Sequence, residues 1–439
     1  MQLYKWFSNI IFHNTVYSLI EMGIPALLML VSTPFLLSGM GAASYGLWSL
    51  GLAFLGLIGL ADIGIGAATT KFIAEYVENN DIKGLSEIIT ISFAITLFVG
   101  TIFTGILLLL SSWIASFFIS SEFSIGVITF IFQICIFGLF AILIENIGLA
   151  IPRGFQDYRT TTILLSGQNV LTILFAVWIV FIRGTITQIF IGMVIIVWCF
   201  AIGSLVIALY RVRKRGINFA FSLNTFHKFI DFMFFMGLTG IGLKIFSLFD
   251  RVVVAQTLGL EVAAYYSIAT GIANKFTAFG TAATQALFPA FSSWYVNKEK
   301  NSIWEKLKTA TLLVGIGSIV PGCFLLVFSQ PLVYWWLGKQ NGSAVLIPLQ
   351  ILILVYMVKT VTAPSYQAAN GLGFPWMTTL TTIIGSFGTI GLIIILGKSF
   401  GFIGAAWANI AIWVNLSLPI FLYYKIFRKK YSVNPLLSN

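Results

Sequence analysis

Apolar residues run through this chain in long blocks, not in the short alternations of a water-exposed fold. A helix rises 1.5 Å per residue, so about 20 apolar residues cross a bilayer. Measured by that length, the pattern predicts twelve spans, at roughly 14–38, 44–68, 86–110, 125–151, 162–182, 187–210, 231–257, 262–289, 308–330, 346–368, 376–397 and 402–425. Arg183-Gly184-Thr185 separates the fifth from the sixth, and 331–345 (PLVYWWLGKQNGSAV) reads as an aromatic interfacial loop with Tyr334, Trp335 and Trp336 at headgroup depth. The long first apolar segment carries no small-residue cleavage site at the right distance, so it is expected to stay in the mature protein.

Composition agrees. Of 439 residues 59% are hydrophobic and 9% charged, and the mean hydropathy is +0.98. Soluble domains carry roughly 25% charged residues, so a soluble enzyme and a nucleic-acid binder are both excluded. Cys135, Cys199 and Cys323 fall in apolar runs without a ligand spacing and read as inert core thiols. His13 and His227 form no HExxH, so no metal site is expected. No GxxxxGK[ST] is present, and Gly64-Ile-Gly-Ala-Ala-Thr lacks the strand and last glycine of a dinucleotide loop. Neither a cofactor nor a chemical energy source is expected.

The +11 net charge mostly reports orientation. With the N-terminus inside, the inner segments hold eighteen Lys and Arg, the outer loops only Arg183, Lys339 and Lys398. Basic residues accumulate on the cytoplasmic side, so both termini are expected there. The most basic loop, Arg211-Val-Arg-Lys-Arg-Gly-Ile-Asn, divides the chain in two. It reads either as a linker obeying the positive-inside rule or as an anionic-lipid contact. The expected organisation is a lobe over 1–210, a basic cytoplasmic linker over 211–230, a lobe over 231–425 and a tail over 426–439.

The halves resemble each other. Ala43-Ser44-Tyr45-Gly46 opens the second span and Ala263-Ala264-Tyr265-Tyr266 the eighth; Tyr45 lies 31 residues before Tyr76, and Tyr265 lies 30 before Tyr295. Six spans is an even number, so the repeats are parallel, related by a pseudo-two-fold axis along the membrane normal. The fold class is therefore an all-α polytopic membrane protein of two six-helix lobes with a central cavity.

Ionisable residues inside spans are costly and usually face a cavity or a partner. The first lobe has only acids there, Glu21, Asp62 and Glu145; the second has Lys244, Arg251, Lys275 and Lys359 with one acid, Asp250. Cavity lysine and arginine can bind phosphate oxygens, and the acids can take up a proton or ligate a monovalent cation. Bland alternatives stand beside these. Asp250 is a natural counter-charge for Arg251, Glu21 and Asp62 can snorkel to water, and Glu145 can serve a helix–helix hydrogen bond. Asn146 and Asn274 are polar neighbours that would line the same path.

Tyr45-Gly-Leu-Trp, Leu60-Ala-Asp-Ile-Gly-Ile-Gly, Asp250-Arg251 and Leu258-Gly-Leu-Glu-Val-Ala-Ala-Tyr265-Tyr266-Ser267, on twelve spans, resemble the polysaccharide biosynthesis family. These are Wzx-like O-antigen or lipid-linked oligosaccharide flippases, in the superfamily of multidrug and toxin extruders and lipid II flippases. The resemblance covers nearly the whole chain. It implies a flippase moving an undecaprenyl-diphosphate-linked repeat unit from the cytoplasmic to the periplasmic leaflet, with H+ or Na+ as coupling ion and glycan polymerase and chain-length machinery as partners. The family supplies only the expectation of a charged cavity, and the named residues follow from depth and charge. The chain departs from a strong phosphate site in having one span arginine against three lysines. A drug/cation antiporter of the same superfamily is the alternative, disfavoured by the basic second lobe. A glycan polymerase or ligase is disfavoured by outer loops of only 14 and 15 residues (111–124 and 331–345) holding one acid, Glu122.

Overall fold

A computed structural model describes residues 23–56, 64–118, 123–216, 218–282, 284, 287, 291, 300–372 and 374–431, with side chains at all of these except 235–248, 278–282, 300–302, 375 and 425–431. Among the described residues there is no strand. The helices are α1 (Gly23–Met40), α2 (Ala42–Gly56), α3 (Ile65–Glu78), α4 (Ile82–Ser116), α5 (Ile125–Gly154), α6 (Tyr158–Phe181), α7 (Ile186–Lys214), α8 (Leu223–Leu258), α9 (Leu260–Ala282), α10 (Lys300–Val361), α11 (Ala363–Gly371), α12 (Pro375–Ala408), a 3-10 segment (Asn409–Leu416) and α13 (Ser417–Tyr431). Seven helical stretches among the described residues are long and apolar enough to cross a membrane. Their outer faces carry bare hydrocarbon: Leu109 is 87% exposed and Val327 74%. Lipid is the solvent in which that is stable.

Local chemistry ends one helix and starts the next within two or three residues. After α3, Asn80 turns left-handed (φ 54). The N–H of Asp81 then reaches back to the Tyr76 carbonyl at 2.9 Å, and the Asp81 carboxylate accepts from the Gly84 N–H at 2.8 Å to open α4. The device recurs after α5. Gln156 is left-handed (φ 62), the Asp157 N–H bonds the Pro152 carbonyl at 2.9 Å, and Asp157 caps α6 at the Thr160 N–H, 3.1 Å away. At the other end of α6, Arg183 is left-handed (φ 57) and Thr185 with Gln188 forms a reciprocal cap on α7. Each is a 6→1 closure that satisfies orphan carbonyls, followed by an N-cap that satisfies orphan amides.

One sequence expectation fails here. Residues 331–345 are not a loop: α10 runs through them, broken only at Gly338 (φ 77, ψ 165). Val333 and Leu337, one turn apart, are buried while Trp335 is 84% exposed, so the aromatic run makes a helix with one packed face. Only glycine adopts the Gly338 backbone without strain, and Gly401 (φ 60, ψ −139) breaks α12 in the same way. The thiol expectation is corrected as well: Cys135 is buried, but Cys199 and Cys323 are exposed on outward faces, since an apolar run in a membrane has a lipid side.

The chain forms two compact units, Met1–Leu248 and Phe249–Asn439. In the first, α5 and α7 pack most extensively, and a Cβ on Gly148 would lie 2.8 Å from the Ser204 backbone. A second core gathers Ile73, Ile88, Ile91, Ile147 and Ile151, and the start of α8 docks on it through Phe229 and Met233. Thr225, one turn before Phe229, donates to the buried Glu87 carboxylate at 2.5 Å. In the second unit, Phe291, Ile303, Leu307, Ala368, Leu418 and Leu422 form the corresponding cluster.

Two features repeat between units. Gln133 donates to Ser111 across α5 and α4 at 3.3 Å, and Gln350 donates to Ser329 across the Gly338 break at 2.7 Å. The separations are 22 and 21 residues, so the two units pin successive spans with the same bond. Tyr45, four residues after left-handed Gly41, and Tyr266, seven after left-handed Gly259, are both buried. That offset of three residues is about one helical turn, so Tyr266, not Tyr265, occupies the face equivalent to that of Tyr45.

Gly148→Val is expected to wedge α5 from α7 and cost about 1–3 kcal/mol. Thermal unfolding of the detergent-solubilised protein should show a Tm lowered by several degrees, and an unchanged Tm would contradict the close approach.

Candidate functional site

The second unit gathers polar residues from four helical segments in an otherwise apolar interior. Asp250 and Arg251 lie on α8, Tyr266 on α9, Tyr356 and Lys359 on α10, and Asn409 opens the 3-10 segment. Asn409 Nδ2 donates to the Tyr266 hydroxyl at 3.0 Å, and that hydroxyl donates to Asp250 Oδ2 at 3.1 Å. Asp250 Oδ1 accepts the Arg251 backbone N–H at 2.7 Å. The phenol thus takes one bond and gives one, and both carboxylate oxygens are occupied. Tyr266 is 0% exposed and Asn409 1%, while Asp250 is half-buried. The Arg251 side chain and Lys359 both lie close enough to Asp250 to act on its charge, and Lys359 Nζ sits 4.9 Å above the Tyr356 ring. Arg251 Nε is buried without a hydrogen-bond partner among the described residues. One acid therefore faces two bases, leaving net positive charge and an unused donor.

Of the basic residues proposed from sequence, Arg251 and Lys359 come together here. Lys275 lies nine residues beyond Tyr266 on α9, about 13 Å along the axis; it is half-buried, with Asn274 exposed beside it. Lys244 falls within α8, where no side chain is described. Asp250 does serve as the counter-charge of Arg251, and it also anchors the Tyr266 relay.

In the first unit, Glu145 on α5 is 1% exposed. The Gln168 side chain of α6 hydrogen-bonds it, and Arg153, two turns along α5, acts on its charge. Its Oε1 has no partner among the described residues. Asn146 is half-buried next to it. Glu21 and Asp62 lie outside the described residues.

Sequence reasoning missed Tyr266, Tyr356, Asn409 and Gln168 as site residues. Tyr266 stands out in the sequence only as part of the repeat and of a family motif. Neutral polar residues in spans carry no charge to flag them, and nothing short of the packing shows which reach an acid. The relay predicts that Tyr266→Phe takes the hydroxyl donor from Asp250 Oδ2 and leaves Asn409 Nδ2 only its longer bonds to the Ala405 and Ala406 carbonyls, at 3.3 and 3.4 Å. An unsatisfied buried polar group costs about 1–3 kcal/mol, so a clear fall in Tm is expected, and a wild-type Tm would remove the relay from the structure's stability.

The helices define a multi-pass membrane protein. The chain superposes on a multidrug-resistance MATE family transporter of the MOP superfamily in its inward-facing conformation, with a TM-score of 0.75 and 17% identity over 95% of this chain and 99% of that one. It also superposes on the lipid II flippase MurJ in an inward closed conformation, with a TM-score of 0.72 and 16% identity over 94% of this chain and 87% of that one. Those likenesses are of fold. Residues 11–294 match the family described as "Polysaccharide biosynthesis protein", and the chain belongs to that family. It is 22% identical over 401 residues to a "Putative O-antigen transporter" of Shigella flexneri, covering 90% of this chain and 93% of that protein.

Proposed function

We propose that this protein is a flippase that carries a polyprenyl-diphosphate-linked oligosaccharide from the cytoplasmic to the outer leaflet of a bacterial inner membrane by alternating access, with twelve spans and both termini cytoplasmic. The observation that carries the proposal is family membership combined with a match to an O-antigen transporter over nine-tenths of the chain. The second-unit cluster supports it. Arg251 and Lys359 supply positive charge in a span, and the unpartnered Arg251 Nε is a donor that a diphosphate oxygen would satisfy. Lys244 and Lys275 belong to the same proposal by depth and charge. A drug/cation antiporter would place acids without surplus bases in this position.

On this reading Glu145 would be the coupling residue. It is nearly inaccessible, and one oxygen lacks a partner among the described residues, so a proton or a monovalent cation would complete it. Glu21 and Asp62 belong to the same proposal by depth and charge. Glycan polymerase and chain-length machinery would take the product on the outer face.

Replacing Arg251 and Lys359 together with Ala should lower flipping of a lipid-linked oligosaccharide in proteoliposomes at least tenfold while the protein level and elution profile stay normal. Normal flipping by the folded double variant would remove the diphosphate role. Glu145→Gln should make the rate insensitive to proton and sodium gradients to which the wild type responds; a wild type indifferent to both gradients would remove coupling altogether.

Orientation has its own check. Cysteines at Ser112 and Asn341 should react with an impermeant maleimide from the periplasmic side, and labelling from the cytoplasmic side alone would invert the topology.

A further inference from the structure

At the basic end of the first unit, a cavity of about 710 Å³ is lined by Val206, Ile207, Tyr210, Arg211, Lys214 and Arg215. These residues occupy the last two turns of α7 and the residue that caps it. Val206 is 58% exposed and Tyr210 66%, so the apolar half of the cavity opens onto the lipid-facing side of the helix. The basic half lies at its tip.

The two arginines are held in place from the turn between α5 and α6. The Arg211 guanidinium pairs with the Asp157 carboxylate and donates to the Thr160 hydroxyl at 2.8 Å. The Arg215 guanidinium lies 3.5 Å over the Phe155 ring. Burial by itself would raise the Asp157 carboxyl. The Thr160 hydroxyl and N–H and the Arg211 guanidinium outweigh it and hold the group below its ordinary value. The Arg215 guanidinium is lowered by burial and by the repulsion of Arg211, so the two like charges are neighbours. Three bases therefore share one acid, and that acid is already engaged. The dipole of α7 accounts for basic residues in its last turn. It does not account for their gathering around an open cavity with a membrane-facing apolar floor, nor for a stacked and an ion-paired arginine fixed side by side.

We propose that this cavity binds the headgroup of an anionic phospholipid. Arg215 and Lys214 would meet the phosphate, Arg211 would supply fixed positive charge beneath it, and the first acyl carbons would lie against Val206, Ile207 and Tyr210. Pre-ordered guanidinium groups suit phosphate because little side-chain freedom is lost on binding. The site is distinct from the charged residues in the spans, and the inference does not depend on the transported substrate.

The test uses the full-length protein in detergent with phosphatidylglycerol as the probe and phosphatidylcholine as the neutral control. Retained lipid is read by native mass spectrometry and Tm by thermal unfolding. The wild type should retain phosphatidylglycerol over phosphatidylcholine and gain Tm from it. Each basic residue near a surface strengthens anionic-lipid attraction severalfold, so Lys214→Gln with Arg215→Gln should lower retention on the order of tenfold while the Tm without lipid stays within a degree or so. Arg213→Gln removes the same kind of charge from the same turn but does not line the cavity, and its loss of retention should be several-fold smaller than that of the double variant. Equal retention of the two lipids, equal retention by the double variant, or an equal loss in Arg213→Gln would each overturn the proposal, the last by showing diffuse charge in place of a site. Displacement of phosphatidylglycerol by an equal concentration of polyprenyl diphosphate would also overturn it and assign the cavity to that lipid.

Discussion

A peptide group in hydrocarbon has no water to bond, and each one left unpaired costs several kcal/mol. Most features of this chain answer to that constraint. It makes every described element a helix, and at the turns after α3, α5 and α6 it is met by closing the carbonyls of one helix before capping the amides of the next. Asn80-Asp81 and Gln156-Asp157 do both within two residues. Where a helix must break, at Gly338 and Gly401, glycine supplies the backbone that no other residue adopts cheaply.

The same constraint makes the polar interior informative. A carboxylate in a span has to be answered, and the second unit answers Asp250 with a phenol, an amide relay and two bases. The first unit answers Glu145 less completely, with one amide and an oxygen left over. The asymmetry that charge counting shows in the sequence thus has different structural forms. One unit holds a satisfied acid within positive surroundings, the other an acid with spare capacity. Under the proposed function, a cargo phosphate and a coupling cation would be the complements of those two states.

Elsewhere the two units are built alike. The Ser111–Gln133 and Ser329–Gln350 bonds cross equivalent pairs of segments, and left-handed glycines precede a buried tyrosine in each. A duplicated scaffold carrying different charged residues separates the task of spanning the membrane from the task of recognising a ligand. That separation fits a fold shared by proteins whose names refer to drugs, lipid II and O-antigen.

Much of this was legible in the sequence. The length of the apolar blocks announced membrane helices, and the charged residues Asp250, Arg251, Lys359 and Glu145 stood out because hydrocarbon penalises charge regardless of fold. Matching loop motifs disclosed the repeat for the same local reason. The sequence could not show that residues 331–345 coil into helix, because aromatic and polar residues there satisfy either an interface or a packed face until Val333 and Leu337 find neighbours. Nor could it single out Tyr266, Tyr356, Asn409 and Gln168 among many neutral polar residues, or gather Arg211 and Arg215 against Asp157 and Phe155. Solvent preference is a property of each segment and is written in its composition. Which side chain meets which depends on how distant helices pack, and only the tertiary structure decides that.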